Sequence, residues 1–144
     1  MIVTGAGSGI GRAAARRFAE EGASVCVADL QTDAAEAVAN AIVAAGGQAF
    51  ACTADVALEA DNTRMVDEAV RCHGAVDAAF LNAGYGGWAL DALESDITDF
   101  DRIMAVNLRG CWLGIRSVVR AMGPGGAIVV TASAGGLTGV RSNP

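Results

Sequence analysis

The residues Met1-Ile-Val-Thr-Gly-Ala-Gly-Ser-Gly-Ile-Gly-Arg12 constrain the fold more than any other stretch of the chain. A short β-branched run passes directly into a glycine-dense turn, and the segment after it, Ala13-Ala-Ala-Arg-Arg-Phe-Ala-Glu20, has strong helix propensity and no breaker. This reads as strand, tight loop and helix. Such a loop aims the unpaired amide N–H groups of the helix's first turn at whatever lies beyond the strand, which suits an anion such as a pyrophosphate. Gly5, Gly7 and Ile10 fail the common dinucleotide spacing G-x-G-x-x-G at its last place, whereas Gly5-x-x-x-Gly9-x-Gly11 fits a longer nucleotide-binding loop. A Gly-rich turn that binds nothing is the competing reading.

The rest of the chain narrows what that loop serves. A net charge of -6 over 144 residues, without a basic cluster, argues against binding nucleic acid through its phosphates. A hydrophobic fraction of 53% against 18% charged residues excludes disorder, and the length fits one domain with a real core. No apolar run approaches the roughly 18–20 residues that span a bilayer, and no leader pattern precedes the first strand, so a soluble, cytoplasmic protein without membrane contact is expected. Cys26, Cys52, Cys72 and Cys111 lack C-x-x-C spacing and are expected as buried reduced thiols. His73 is the only histidine; with no second one to share a metal, it reads as a partly exposed helix-end residue, and no metal site is expected. All ten basic residues are arginines.

After the first helix, Ala23-Ser-Val-Cys-Val-Ala-Asp29 suits a strand buried on both faces, as in a parallel sheet. Asp29 stands 18 residues past Gly11, near where a dinucleotide fold places the acid that binds the adenosine ribose. A carboxylate there repels a 2′-phosphate and favours NAD over NADP; the alternative is a helix cap, for which Thr32 and Asp33 are better placed. A helix over 34–45 closes at Gly46-Gly47, and Gln48 to Cys52 forms a third strand. Asp55 and Val56 then either meet an adenine amino group and ring or cap the next helix, Glu59 to His73.

A fourth strand, Val76 to Leu81, runs into Asn82-Ala-Gly84, where an Asn can hold neighbouring backbone and a glycine admits a close ligand. The segment from Tyr85 to Asp91 reads as an aromatic loop that contacts a substrate or covers the fold. From Thr98, the expected N-cap, one uninterrupted helix of about 25 residues is expected, roughly 37 Å long. Its apolar stripe comprises Phe100, Ile103, Met104, Leu108, Cys111, Ile115, Val118, Val119 and Met122. Asn107 falls within that pattern and needs a partner, since an unpaired buried amide costs about 1–3 kcal/mol. Ala127 to Thr131 is a fifth strand, and Ser133 leaves it either as a passive turn residue or at the carboxyl edge where open α/β sheets bind ligands. Five strands alternating with four helices imply a parallel sheet with right-handed crossovers.

Taken together, Thr4-Gly5-x-x-x-Gly9-Ile10-Gly11, Asp29, Asp55-Val56, Asn82-Ala83-Gly84, Val106-Asn107-Leu108-x-Gly110 and Ile128-Val-Val-Thr-Ala-Ser133 make the sequence resemble the classical short-chain dehydrogenase/reductase family. The resemblance runs along essentially the whole chain. It implies a Rossmann-type doubly wound parallel sheet in an α/β/α sandwich, incomplete at its C-terminus, with residues 1–144 as a single NAD-binding domain. It implies that Gly5, Ser8, Gly9, Ile10 and Gly11 hold the pyrophosphate region and that Asp29 and Leu30 hold the adenosine ribose. It further implies that Asp55 and Val56 contact adenine and that Asn82, Ala83 and Gly84 support the central strand beside the cofactor.

Catalysis in that family uses Asn, Ser, Tyr and Lys. Asn107 and Ser133 match the water-holding and substrate-positioning members. The Tyr-x-x-x-Lys pair, expected about a dozen residues after the Ser, does not occur before Pro144, and Tyr85 has Ala89 where the lysine belongs. The expectation is therefore an N-terminal piece of an NAD-dependent oxidoreductase acting on an alcohol or ketone, itself inactive, whose complete form is a homodimer or homotetramer. A non-catalytic dinucleotide-binding or oligomerisation module is the alternative.

Overall fold

The computed structural model describes residues 1–86 and 96–137. The alternation of short apolar runs with helix-forming segments yields β1 (Ile2–Thr4), α1 (Gly9–Glu20), β2 (Ser24–Asp29), α2 (Thr32–Ala44), β3 (Gln48–Thr53), α3 (Glu59–His73) and β4 (Ala78–Leu81). The second described stretch adds α4 (Ile97–Ile103), a π-helical segment (Met104–Gly110), α5 (Cys111–Ala121), β5 (Ala127–Val130) and a 3₁₀ turn (Ala134–Gly136). All strand pairs are parallel, in the order β3-β2-β1-β4-β5.

Both faces of the sheet are covered over β1 and β2, which is why those strands are apolar at consecutive positions rather than alternating, whereas β5 leaves Ala127, Val129 and Val130 exposed. Ile2, Cys26, Ala28 and Leu81 pack with Met65, Val66 and Ala69 of α3 and with Val118 of α5. Val3, Val25 and Val27 point the other way, onto Ala15 of α1 and Val38 and Ile42 of α2. The architecture is the doubly wound α/β/α sandwich expected from the sequence. The chain winds outward from β1 to β3 and resumes at β4 on the opposite side of β1. The loops after β1 and β4 therefore diverge and leave a crevice at the carboxyl edge.

Several local expectations are corrected. Helix α2 begins at Thr32, so Thr32 and Asp33 lie in its first turn instead of capping it, and Gln31 flanks it without a side-chain cap. Thr98 is not an N-cap: Asp96 is, its carboxylate accepting the Thr98 N–H at 2.9 Å. The long helix is not uninterrupted. Its centre, Met104–Gly110, is π-helical, a geometry that accommodates one extra residue per turn by bonding each N–H five residues back.

The expected single stripe also divides. Val118 is buried together with Leu113, which the expected stripe did not include, and Ile115 and Met122 pack against the core, while Phe100, Met104, Leu108 and Val119 join Ile97 and Trp112 on an exposed face. Nine positions along one helix subtend more than the single face a flat sheet contacts. Of the cysteines, Cys26 and Cys52 are buried, Cys111 is half-buried and Cys72 is exposed, not buried; all four are free. Within the expected aromatic loop, Gly87 to Asp91 lie outside the described residues. No described helix is long and apolar enough to cross a membrane.

Candidate cofactor-binding site

The glycine loop is built by steric necessity at several positions. Gly5 and Gly9 adopt φ of +63° and +49°, the left-handed region that glycine enters without penalty. A Cβ on Gly11 would stand 2.1 Å from the Gly5 carbonyl oxygen, and one on Gly7 would stand 2.9 Å from the Asp29 carboxylate carbon. Ser8 is the N-cap of α1 yet makes no side-chain cap bond, which leaves its hydroxyl and the first amides of the helix facing the crevice.

Asp29 ends β2 beside this loop. One carboxylate oxygen accepts the Gly7 N–H at 2.8 Å and the other accepts the Gln31 N–H at 3.0 Å. Each oxygen keeps a second lone pair, so the carboxylate is fixed in place and still able to accept a hydroxyl. The helix-cap alternative does not describe it, since its bonds fall outside α2.

The loop after β3 presents Asp55 and Val56. Asp55 accepts the Ala57 N–H at 2.9 Å through Oδ1, whereas Leu58 flanks α3 with no side-chain cap, so Asp55 closes a turn and does not cap the helix. The loop is clamped from three directions. Asp61 Oδ2 accepts the Asp55 N–H at 2.9 Å, Asn62 Nδ2 donates to the Val56 and Leu58 carbonyls at 2.7 and 2.8 Å, and Arg109 donates to the Ala57 carbonyl at 2.6 Å. The bond from the Asp55 amide, and then Arg64, hold the Asp61 carboxyl below its ordinary pKa.

Asn82, at the exit of β4, ties three strands together. Its backbone N–H donates to the Thr4 hydroxyl at 3.0 Å, its Nδ2 donates to the Thr4 carbonyl at 3.4 Å, and its Oδ1 accepts the Thr131 hydroxyl at 3.0 Å. The Thr4 hydroxyl also accepts the Ala83 N–H at 3.1 Å. Strands β1, β4 and β5 thus end at a common level around one amide.

These loops enclose a cavity of about 550 Å³. Gly5, Ser8, Gly9, Ile10, Asp29, Leu30, Asp55, Val56, Asn82, Ala83 and Gly84 all line it; Gly11 instead packs beneath the loop against Gly5. The shape and chemistry fit a dinucleotide: free amides and a hydroxyl at the glycine loop, a fixed carboxylate at the β2 end, and apolar Leu30 and Val56 for a flat ring.

A second cavity of about 440 Å³ adjoins the first through Asn82, Ala83, Gly84 and Thr131, and both Asn107 and Ser133 line it. Asn107, from the π-helical segment, donates Nδ2–H to the Tyr85 carbonyl and accepts the Tyr85 N–H through Oδ1, both at 2.8 Å. The partner its place in the helix demanded is therefore backbone. The Ser133 oxygen accepts the Gly135 N–H at 3.1 Å, which leaves the hydroxyl proton available. Tyr85 is engaged elsewhere: its hydroxyl donates to Asp99 at 3.3 Å and its ring lies 4.1 Å beneath the Arg102 guanidinium. His73 packs tilted against Phe50 at 5.2 Å, away from these cavities, and no cluster of His, Cys, Asp and Glu able to hold a metal occurs among the described residues.

Sequence reasoning gave no role to Thr4, Asn62, Arg102 or Thr131. Only Asn62 carried a usable signal, a polar residue three and four positions before Met65 and Val66 on the apolar face of α3.

Comparison with known proteins agrees with this geometry. Residues 1–144 match the sequence profile of the short chain dehydrogenase family. Cyclohexanol dehydrogenase of Acinetobacter sp. is 41% identical over 143 residues, covering 98% of this chain and 57% of that protein. Levodione reductase of Leifsonia aquatica is 35% identical over 144 residues, covering 97% of this chain and 54% of the reductase. The structure of a 7α-hydroxysteroid dehydrogenase complexed with NADH and 7-oxo glycochenodeoxycholic acid superposes with a TM-score of 0.90 at 35% identity, over 98% of this chain and 55% of that one. The chain spans little more than half the length of these relatives. By its sequence, its strand order and its glycine loop, this chain belongs to the short-chain dehydrogenase family.

Proposed function

We propose that this chain forms the NAD-binding part of an oxidoreductase that moves a hydride between NAD and a small alcohol or ketone. One observation carries the reading: the glycine loop, the Asp29 carboxylate, the Asp55-Val56 turn and the Asn82–Gly84 exit all line a single cavity at the point where strand order reverses. The glycine loop and Ser8 hold the pyrophosphate, Asp29 and Leu30 the adenosine ribose, and Asp55 and Val56 the adenine. Asp29 disfavours a 2′-phosphate by charge, which is the basis for NAD over NADP.

Bound NAD supplies a hydride acceptor at C4 of its nicotinamide. In the adjoining cavity, Ser133 would hold the substrate oxygen in place through a hydrogen bond from its hydroxyl, and Asn107 would offer its second amide N–H and remaining Oδ1 lone pair to a water. The exposed face formed by Ile97, Phe100, Met104, Leu108, Trp112 and Val119 supports assembly into a homodimer or homotetramer.

A second reading, a binding module without catalysis, is favoured by one specific observation. The 144 residues contain no lysine, and the hydroxyl of the single tyrosine is bonded to Asp99. Incubating the protein with NAD and a panel of secondary alcohols that includes cyclohexanol tests for turnover. NADH absorbance rising at 340 nm excludes the module, whereas tight NADH binding without turnover is expected of both readings for residues that lack the Tyr-x-x-x-Lys pair.

A further inference from the structure

We propose that Arg102 is a further cofactor-binding residue whose guanidinium contacts the diphosphate of the dinucleotide, an inference that rests on the function proposed above. Arg102 and Val106 stand four residues apart on one helical face and both line the cavity that holds Gly5, Ser8 and Gly9. Asp29 and Asp55 are the acidic side chains of that lining, and Arg102 is its one cationic side chain. A ligand that carries two phosphate charges and sits between two carboxylates gains from a full positive charge, of which the helix N-terminus at the glycine loop supplies only about half.

The state of Arg102 matches that role. Among the described residues, Arg17, Arg64 and Arg116 are paired with acids and Arg109 is bonded to the Ala57 carbonyl; Arg102 has neither an ion pair nor a hydrogen bond, a state it shares with Arg12, Arg16, Arg71 and Arg120, and of these five it alone lines the cavity. Its contact is instead the face of Tyr85, 4.1 Å from the ring centroid. Stacking on a ring occupies the flat surface of the guanidinium and leaves its five N–H donors, which lie in the plane, free for a planar or tetrahedral oxyanion.

The platform is itself held. Tyr85 donates its hydroxyl to Asp99, three residues before Arg102, and exchanges two backbone hydrogen bonds with the side chain of Asn107, five residues after it. One helix therefore grips Tyr85 at both ends and places a cation over its ring. The arrangement orders the guanidinium at the cavity wall ahead of binding, which lowers the cost of ordering it on a ligand.

The test is a fluorescence titration of the protein with NADH, with ADP-ribose and adenosine as competitors. Arg102→Ala is expected to raise the Kd for NADH and for ADP-ribose roughly tenfold or more while leaving adenosine unchanged, as loss of a charge-assisted contact to phosphate requires. Arg102→Gln is expected to match Arg102→Ala, and Arg102→Lys to fall between them and the parent. Because Arg102 is exposed, all three variants should unfold at the parent temperature. Unchanged NADH affinity in Arg102→Ala overturns the inference, as does an equal loss for adenosine or a loss confined to NADPH. A parent protein that binds neither NADH nor ADP-ribose overturns the NAD-binding reading itself.

Discussion

One oxygen of the Asp29 carboxylate accepts the Gly7 N–H at 2.8 Å, so the acid that ends β2 is part of the wall of the glycine loop. The absence of a Cβ at Gly7 permits the approach, because such an atom would lie 2.9 Å from both the carboxylate carbon and Oδ2. The glycine loop and the Asp29 carboxylate are thus one hydrogen-bonded unit, and altering Asp29 acts on both. Asp29→Ala should weaken NADH binding by at least about tenfold, or about 1.4 kcal/mol, and reduce the preference over NADPH. Parallel titrations with the two cofactors read this directly, and an unchanged ratio of the two affinities would count against the ribose assignment.

Gly11 serves packing more than ligand contact. Its α-carbon meets the Gly5 carbonyl so closely that a methyl group would stand 2.1 Å from that oxygen, a backbone atom that cannot rotate away. Gly11→Ala should destabilise the protein by about 3 kcal/mol. Gly123→Ala, where a Cβ meets nothing within 4 Å, should fall within about 0.5 kcal/mol of the parent. Urea unfolding of the pair distinguishes a steric requirement at position 11 from a general intolerance of added methyl groups.

Asn62 links stability to the Asp55-Val56 wall of the cavity. It is 1% exposed, its Nδ2 serves the Val56 and Leu58 carbonyls, and its Oδ1 has no partner. Asn62→Ala should cost about 1–3 kcal/mol by leaving those carbonyls unserved. The same change frees the turn that carries Asp55 and Val56, so NADH affinity should fall while affinity for reduced nicotinamide mononucleotide, which lacks adenosine, stays constant. Calorimetric titration with both ligands checks the second outcome separately from the first.

His73 gives stability a pH dependence near neutrality. Burial lowers its pKa from the ordinary 6.5, so between that value and the lower folded one the unfolded chain binds a proton that the folded chain does not. Its contribution is fully present above pH 6.5 and is lost as pH falls through the folded pKa. His73→Phe should flatten the decline in unfolding free energy between pH 7.5 and 5.5, measured by urea denaturation at each pH; an identical decline in the variant would exclude His73 as its source.

The outer face of the long helix offers a test of assembly. Leu108 and Trp112 are 61% and 57% exposed, unusual for large apolar side chains lying side by side. Trp112→Glu should convert a dimer or tetramer to monomer, as read by light scattering, with no loss of NADH affinity.

Local chemistry determined much of this protein. Helix α3 runs over the span its periodicity indicates, and the three-layer sandwich follows from apolar strands alternating with helices. That the glycine loop and the strand-end acids gather at one cavity was legible because glycine spacing and strand-end acids are local patterns that bring their physical reasons with them. What the sequence left undecided depended on contacts across the chain. That Asp55 closes a turn instead of capping α3 depended on the amide of Ala57 and on Asp61, and the partner of Asn107 proved to be the backbone of Tyr85, 22 residues away. The π-helical segment was invisible to a repeat of 3.6 residues, because a single inserted residue shifts the register without changing the composition. Arg102 carried no signal at all: an arginine near a helix start acquires meaning only when folding sets it over Tyr85 at the wall of the cavity.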